Sequence, residues 1–257
     1  MMLHMLKGFK HFMLLNKVEE FRACATAAMR DADNGQKVMR KLEEETGIKL
    51  EIIHGEEEAK LLFNNIVENP DYACGNYAYV DVGGGSTEIS LLHNGELLKS
   101  RSFDMGTLRL LSGQVTPETR NEMTAMLTDY AREYPHTTII GSGGNINKLY
   151  KLTRGKEDSK IMKVSDMKAV YEELSRLSIE ERKEKFGLKD DRADVIIPAS
   201  EVFLMIAEAL KCDTITVPNI SLADSIVDGL YRDRRSQWQG QSRESTYEIF
   251  IFGFDKY

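Results

Sequence analysis

The chain has 257 residues, 42% hydrophobic and 29% charged, which is enough apolar content for one large core or two modest ones. A formal net charge of −7 argues against a general nucleic-acid binder, because such proteins need a basic excess to neutralise phosphates, so a polyanionic ligand requires a local basic patch. No run approaches the roughly 20 apolar residues of a membrane span. Cys24, Cys74 and Cys212 show no metal-like pairing and read as reduced core thiols of a cytoplasmic protein.

In chain order, Met1 to Leu15 is apolar but interrupted by Lys7, Lys10 and His11, and no small-residue cleavage site follows it, so it is not a signal peptide. Apolar residues at 3, 6, 9, 13 and 14 give it one helical face. Phe21 to Thr26 reads as a short buried strand, and Ala25 to Gly35 leads into a helix that ends near Thr46, with Gly47 as its stop. Ile48 to Ile53 alternates as a strand. Glu56, Glu57 and Glu58 then open another helix, in a first turn where negative charge is favoured whatever its function. Asn69-Pro70-Asp71 is a turn and a lobe boundary.

The loudest signal follows. Asn76 to Val82 and Ile89 to Leu92 are strand-like runs around Gly83-Gly84-Gly85-Ser86, and Asn94-Gly95 turns the chain into a third strand, Glu96 to Phe103. The glycines sit between two strands rather than at the start of a helix, unlike dinucleotide or Walker loops. They permit positive φ and close approach of a ligand. Three successive backbone N–H groups and the Ser86 hydroxyl can cradle a phosphoryl group, with Asp81 and Glu88 placed to hold a cation beside it.

Asp104 to Thr107 begins a helical stretch containing Arg109, and Thr116-Pro117-Glu118 starts a helix running to about Tyr134. Thr137 to Ile140 is a strand that ends in a second glycine turn, Gly141 to Asn145, opening a helix through Ile146, Leu149 and Leu152; this is an anion-binding geometry, or a steric use of glycine. Lys163 to Leu177 is an amphipathic helix. Ser178 to Glu181 is a capping box for a helix that Gly187 closes. Ser200 is read as the cap of a buried helix reaching Lys211, Asp213 to Val217 as the last strand, and Ser221 as the start of a helix to about Arg235. Residues 236–257 lack helical period and are expected to form a poorly packed tail.

Ala25 to Ala32 with Asn34, then Ile53 to Lys60, then Asp81 to Glu88 resemble the exopolyphosphatase and guanosine pentaphosphate phosphatase (Ppx/GppA) family. Met105 to Leu110, Gly141 to Asn145 and Arg192 to Pro198 support this in the same order, with Asn145 where a threonine is more usual. The resemblance implies an α/β protein of the actin-like ATPase fold (ribonuclease H-like, the class shared with sugar kinases and Hsp70-type ATPases), with two lobes around a cleft. It divides the chain into residues 1–68 as the remnant of a first lobe, 69–235 as the second lobe, and 236–257 as the tail. It also implies a hydrolase of the stringent-response type, cleaving terminal phosphoanhydrides of inorganic polyphosphate or guanosine pentaphosphate (pppGpp) with Mg²⁺. Carried over by residue, Glu58 matches the base that activates water. Asp81 and Glu88 match the metal-holding acids, Gly83, Gly84, Gly85 and Ser86 the phosphate cradle, and Arg30 a basic residue near the cleft. Arg109 and Arg192 read equally well as ion-pair residues.

Family members open with a further phosphate hairpin upstream of the Ala-Thr block, and no such sequence precedes Thr26. The first lobe is therefore expected to be incomplete, with an exposed sheet edge through which two copies can pair as a homodimer. A non-catalytic remnant that binds polyphosphate, nucleotide or a protein partner is the alternative reading, and an ATP-using kinase of the same fold is a third.

Overall fold

The structure is a computed structural model and describes residues 1–54, 57, 61, 74–153, 160–218 and 222–238. The chain divides into two compact units, one made of Met1–Asn65 and Leu222–Tyr257, the other of Ile66–Ser221. No helix among the described residues is long and apolar enough to cross a membrane.

In the first unit, helix α1 (Met2–Leu15) packs on α3 (Gly35–Thr46), burying Leu6, Met13, Leu42, Ile48 and Leu50 in a small core. Gly47, at φ 71°, ends α3 as expected, its N–H bonding Glu43 O at 2.7 Å. The first strand is shorter than its apolar run suggests: β1 (Ala23–Ala25) pairs in parallel with β2 (Leu50–Ile52). The helix expected through Thr46 is interrupted after a single turn, α2 (Ala27–Arg30). The last helix, α11 (Leu222–Trp238), groups with this unit, whereas the sequence reading placed it with the second lobe. Arg234 of α11 pairs with Glu19 and lies 3.8 Å from Glu20.

The second unit is built on a six-stranded sheet. Strands β3 (Asn76–Val82), β4 (Thr87–His93) and β5 (Glu96–Phe103) form an antiparallel meander; β6 (Thr138–Ser142) lies parallel to β3, and β8 (Thr214–Thr216) parallel to β6. A three-residue edge strand, β7 (Ile161–Lys163), runs antiparallel to β8 and completes the order β5-β4-β3-β6-β8-β7. It was not foreseen, because Ile161-Met162 between Lys160 and Lys163 leaves no alternation to read. Between the strands lie α4 (Thr107–Leu111), α5 (Pro117–Glu133), α6 (Gly144–Leu152), α7 (Val164–Ser175), α8 (Ile179–Phe186), α9 (Asp190–Ala193) and α10 (Ile196–Leu210).

One face of the sheet, with Ala78, Val80, Val82, Ile89, Leu91, Ile139 and Ile215, shares its core with Met123 and Leu127 of α5, Ile146 and Leu149 of α6, Met167 of α7, and Phe203 and Ile206 of α10. Side chains alternate along a strand, so Asp81 and Glu88 point to the opposite face. Two of the three foreseen side-chain caps form: Thr116 accepts from the Thr119 N–H at the start of α5, and Ser178 and Glu181 make a reciprocal capping box on α8. Ser200 does not cap. The buried helix starts at Ile196, Pro198 falls in its first turn where a missing N–H is tolerated, and the Ser200 hydroxyl bonds back to Ile196 O at 2.7 Å. Of the cysteines, Cys24 and Cys212 are buried but Cys74 is exposed, so it is no core thiol; it lies ahead of β3, where the chain has not yet entered the sheet.

Candidate active site

The β3–β4 hairpin carries the candidate residues Asp81, Gly83, Gly84, Gly85, Ser86 and Glu88. Asp81 lies directly opposite Glu88 and Val82 opposite Thr87, and the Gly83 N–H closes the turn on Ser86 O at 2.9 Å. The next three carbonyls are all claimed by the start of α4. Thr107 N–H donates to Gly83 O at 3.0 Å, Leu108 N–H to Gly84 O at 2.8 Å, and Arg109 Nε to Gly85 O at 2.8 Å. A Cβ on Gly106 would stand 2.3 Å from Gly84 O, so only glycine lets the two segments come this close.

The sequence suggested that the loop glycines serve positive φ. Among the described residues the glycines at positive φ are Gly47, Gly75, Gly95, Gly113, Gly143 and Gly187; Gly83 and Gly84 are not among them. Space decides instead, since a Cβ on Gly84 would sit 3.1 Å from Leu108 Cδ1. With the carbonyls tied to α4, the N–H groups of Gly84 and Gly85 have no backbone acceptor among the described residues.

Glu88 is buried, and its Oε1 accepts from Ser86 Oγ at 2.6 Å and Ser102 Oγ at 2.9 Å. The single Ser86 hydroxyl hydrogen is thus given to Glu88, which leaves the main-chain N–H as the donor Ser86 can offer an anion. Asp81 lies opposite Ser142, the last residue of β6. There the second glycine turn begins: Gly143, at φ 92° and ψ 168°, caps α6, and a Cβ on it would lie 2.7 Å from Asp81 Oδ1. The carboxylate therefore sits against a helix N-terminus, where the backbone dipole favours negative charge.

Two residues join this cluster that sequence reasoning did not assign to it. Asn145, 3% exposed, accepts from Arg192 Nη1 at 3.0 Å and donates through Nδ2 to Val82 O at 3.4 Å. Arg192 also lies over Gly144, whose Cβ would stand 2.3 Å from its Nη2, and is 3.8 Å from Asp191. Both stood in family-like blocks, but nothing in their spacing shows that positions 145 and 192 meet.

Asp81, Gly83, Gly84, Gly85, Ser86 and Glu88 thus fall within one hairpin of the second unit. Arg30 is the last residue of α2 in the first unit, where its Nε lies 3.3 Å from Asp31 Oδ1. Glu58 lies outside the described residues. Its neighbour Glu57 accepts from Arg22 Nη2 at 2.6 Å, and Arg22 Nε bonds Glu51 at 3.0 Å. The Glu57 carboxylate, with help from Glu51, raises the Arg22 guanidinium further above its usual range. Among the described residues no group of three or more His, Cys, Asp or Glu side chains gathers as a ready-made metal cage.

A meander whose first strand is extended by parallel strands, with helices on the apolar face, defines a ribonuclease H-like lobe of the actin-like class. The model of the Ppx/GppA phosphatase family matches residues 2–232, and the chain belongs to that family. It is 25% identical over 228 aligned positions to exopolyphosphatase 1 of Mycobacterium tuberculosis, covering 81% of this chain and 66% of that protein. It is 25% identical over 256 positions to the guanosine-5'-triphosphate,3'-diphosphate pyrophosphatase of Aliivibrio fischeri, covering 91% of this chain and 50% of that one. The chain thus spans between half and two thirds of these relatives. Among solved structures, an exopolyphosphatase from Cytophaga hutchinsonii superposes with a TM-score of 0.78 at 23% identity, covering 90% of this chain and 81% of that one. The Aquifex aeolicus Ppx/GppA family member gives 0.72 at 24% identity, covering 91% and 81%.

Proposed function

We propose that the chain is a phosphohydrolase that cleaves terminal phosphoanhydride bonds of inorganic polyphosphate or guanosine pentaphosphate with Mg²⁺. The observation that carries this reading is the paired carboxylates Asp81 and Glu88 at the rim of a hairpin whose Gly84 and Gly85 N–H groups have no backbone acceptor among the described residues. Those N–H groups, with that of Ser86, are donors for a terminal phosphoryl group. Two hard oxygen ligands suit Mg²⁺, which binds through one or two protein carboxylates plus substrate phosphates rather than in a full protein cage. When bound, the ion would neutralise phosphoryl charge. Ser86 and Ser102 hold Glu88 for that task, and the α6 N-terminus supports the Asp81 charge. Glu58 accepts the proton of the attacking water, and Arg30 neutralises part of the polyanion. Hydrolysis then needs little covalent chemistry from the protein, since phosphoryl transfer depends mainly on positioning and electrostatics. Both substrates end in the same phosphoanhydride, and both occur in the names of relatives.

The test is Mg²⁺-dependent phosphate release from long-chain polyphosphate and from guanosine pentaphosphate, with wild type and Glu58→Gln. The variant is expected to lose about 10²–10⁴-fold, the usual worth of a positioned general base. If both proteins are equally inert on both substrates, the reading fails.

A further inference from the structure

We propose that Arg109 is a positioning residue, the third member of a clamp that aims the amide groups of the glycine loop. The inference rests on the reading of that loop as a phosphate cradle. A peptide plane carries its C=O and the following N–H on opposite edges, so fixing a carbonyl fixes the direction of the next N–H. The carbonyls of Gly83, Gly84 and Gly85 precede the N–H groups of Gly84, Gly85 and Ser86, and each carbonyl is held by one successive residue of the α4 start. The first two bonds come from main-chain N–H groups, those of Thr107 and Leu108. The third comes from a side chain, so it is the only one of the three that a substitution can remove without changing the backbone's own donors.

Geometry supports a dedicated role. Arg109 Nε reaches Gly85 O at 2.8 Å across 24 residues of sequence, while its Nη2 lies 3.6 Å from Asp104, a residue 74% exposed at its side chain. An exposed pair of this length adds little stability, whereas the contact to Gly85 has the length of a full hydrogen bond to a loop carbonyl. Gly106 completes the device, since a Cβ there would stand 2.3 Å from Gly84 O and 2.5 Å from the Gly85 carbonyl carbon and force the segments apart. The block Met105 to Leu110 thereby acquires a function that its sequence alone does not declare: it holds the back of the loop so that the front presents N–H donors. Such a clamp matters most where the loop must be rigid before charge develops, because a preorganised donor costs no reorganisation during the reaction.

The test combines backbone relaxation with kinetics on Arg109→Ala, Arg109→Lys, Gly106→Ala and Asp104→Asn. In wild type, the ¹⁵N order parameters of Gly84, Gly85 and Ser86 are expected near the rigid value of about 0.85, and in Arg109→Ala those of Gly85 and Ser86 are expected below about 0.6, with the rest of β3 and β4 unchanged. With either phosphoanhydride substrate, Arg109→Ala is expected to lower kcat about 10- to 100-fold while moving KM less than about threefold, as misplaced donors do. Arg109→Lys restores part of the rate, and Asp104→Asn behaves as wild type. If Arg109→Ala is too unstable to measure, Gly106→Ala serves in its place, with loosening of the same amides expected. Unchanged loop order parameters in both variants overturn the clamp. If wild type releases no phosphate yet the loop loosens, the clamp stands and the phosphohydrolase reading falls; the two failures are therefore distinguishable.

Discussion

Replacing Gly143 with alanine tests whether the second glycine turn shapes the acidic site. The residue holds φ 92° and ψ 168°, a region that is essentially glycine-only, where an L side chain costs on the order of 1–3 kcal/mol. The added Cβ would also lie 2.7 Å from Asp81 Oδ1, about 0.7 Å short of ordinary contact, so the carboxylate or the turn must move. With about 1 kcal/mol for that crowding, the low end of overpacking costs, the loss is about 2–4 kcal/mol. A chain of this size then melts about 5–15 °C lower. Gly187→Ala is the control, since Gly187 also has a left-handed φ of 58° but no atom of the described residues lies within 4 Å of its Cβ position. Thermal unfolding by circular dichroism reads the stability, and the Mg²⁺ concentration for half-maximal phosphate release tests the metal-holding role proposed for Asp81. Gly143→Ala is expected to need at least tenfold more Mg²⁺, and Gly187→Ala to need the wild-type amount. If Gly143→Ala melts like Gly187→Ala and keeps the wild-type Mg²⁺ dependence, the contact between Gly143 and Asp81 does not govern the site.

Two further perturbations bear on the scaffold. Burial pushes the Tyr130 phenol up to about 12 from 10.0, with Tyr134 adding to the shift. The folded chain therefore keeps a proton that the unfolded chain releases, so this stabilisation is complete below pH 10 and is lost as the pH rises from 10 towards 12, with a ceiling of about 2–3 kcal/mol. Tyr130→Phe is expected to cost about 1 kcal/mol at pH 8, by losing the hydrogen bond to Leu92 O, and to flatten the alkaline decline in urea unfolding; an identical decline in both proteins refutes the assignment. Arg192→Ala strips a partner from buried Asn145 and is expected to cost about 1–3 kcal/mol in chemical denaturation, whereas a change under about 0.5 kcal/mol would show that the bond carries no weight.

Elements with local signals were legible. Thr116 and Ser178 bind their helix starts as their spacing predicts, Gly47 stops α3, and the alternation from Asn76 to Phe103 became three strands in the expected order. Where a residue can serve two local purposes, reading failed. Ser200 has the chemistry of a cap, yet inside a helix already begun at Ile196 its hydroxyl finds the carbonyl four residues back. The edge strand Ile161–Lys163 exists because β8 offers it a ladder, and only tertiary context supplies that. Likewise, α11 carries no mark in its own residues of the unit with which it groups; its ion pair with Glu19 spans almost the whole sequence.

The glycine loop shows the same division inside a single motif. Its position, its flanking acids and its strand-to-strand setting were all visible in sequence, because each is a property of neighbours. The reason for the glycines was not. They do not supply positive φ at 83 and 84; they leave room for a segment more than 20 residues away, which enters at Gly106 and takes the loop's carbonyls. Once those carbonyls face α4, the N–H groups that follow them face the other way. A run of glycines between acids is thus half of an arrangement, and Gly106 to Arg109 is the half that takes up its carbonyls.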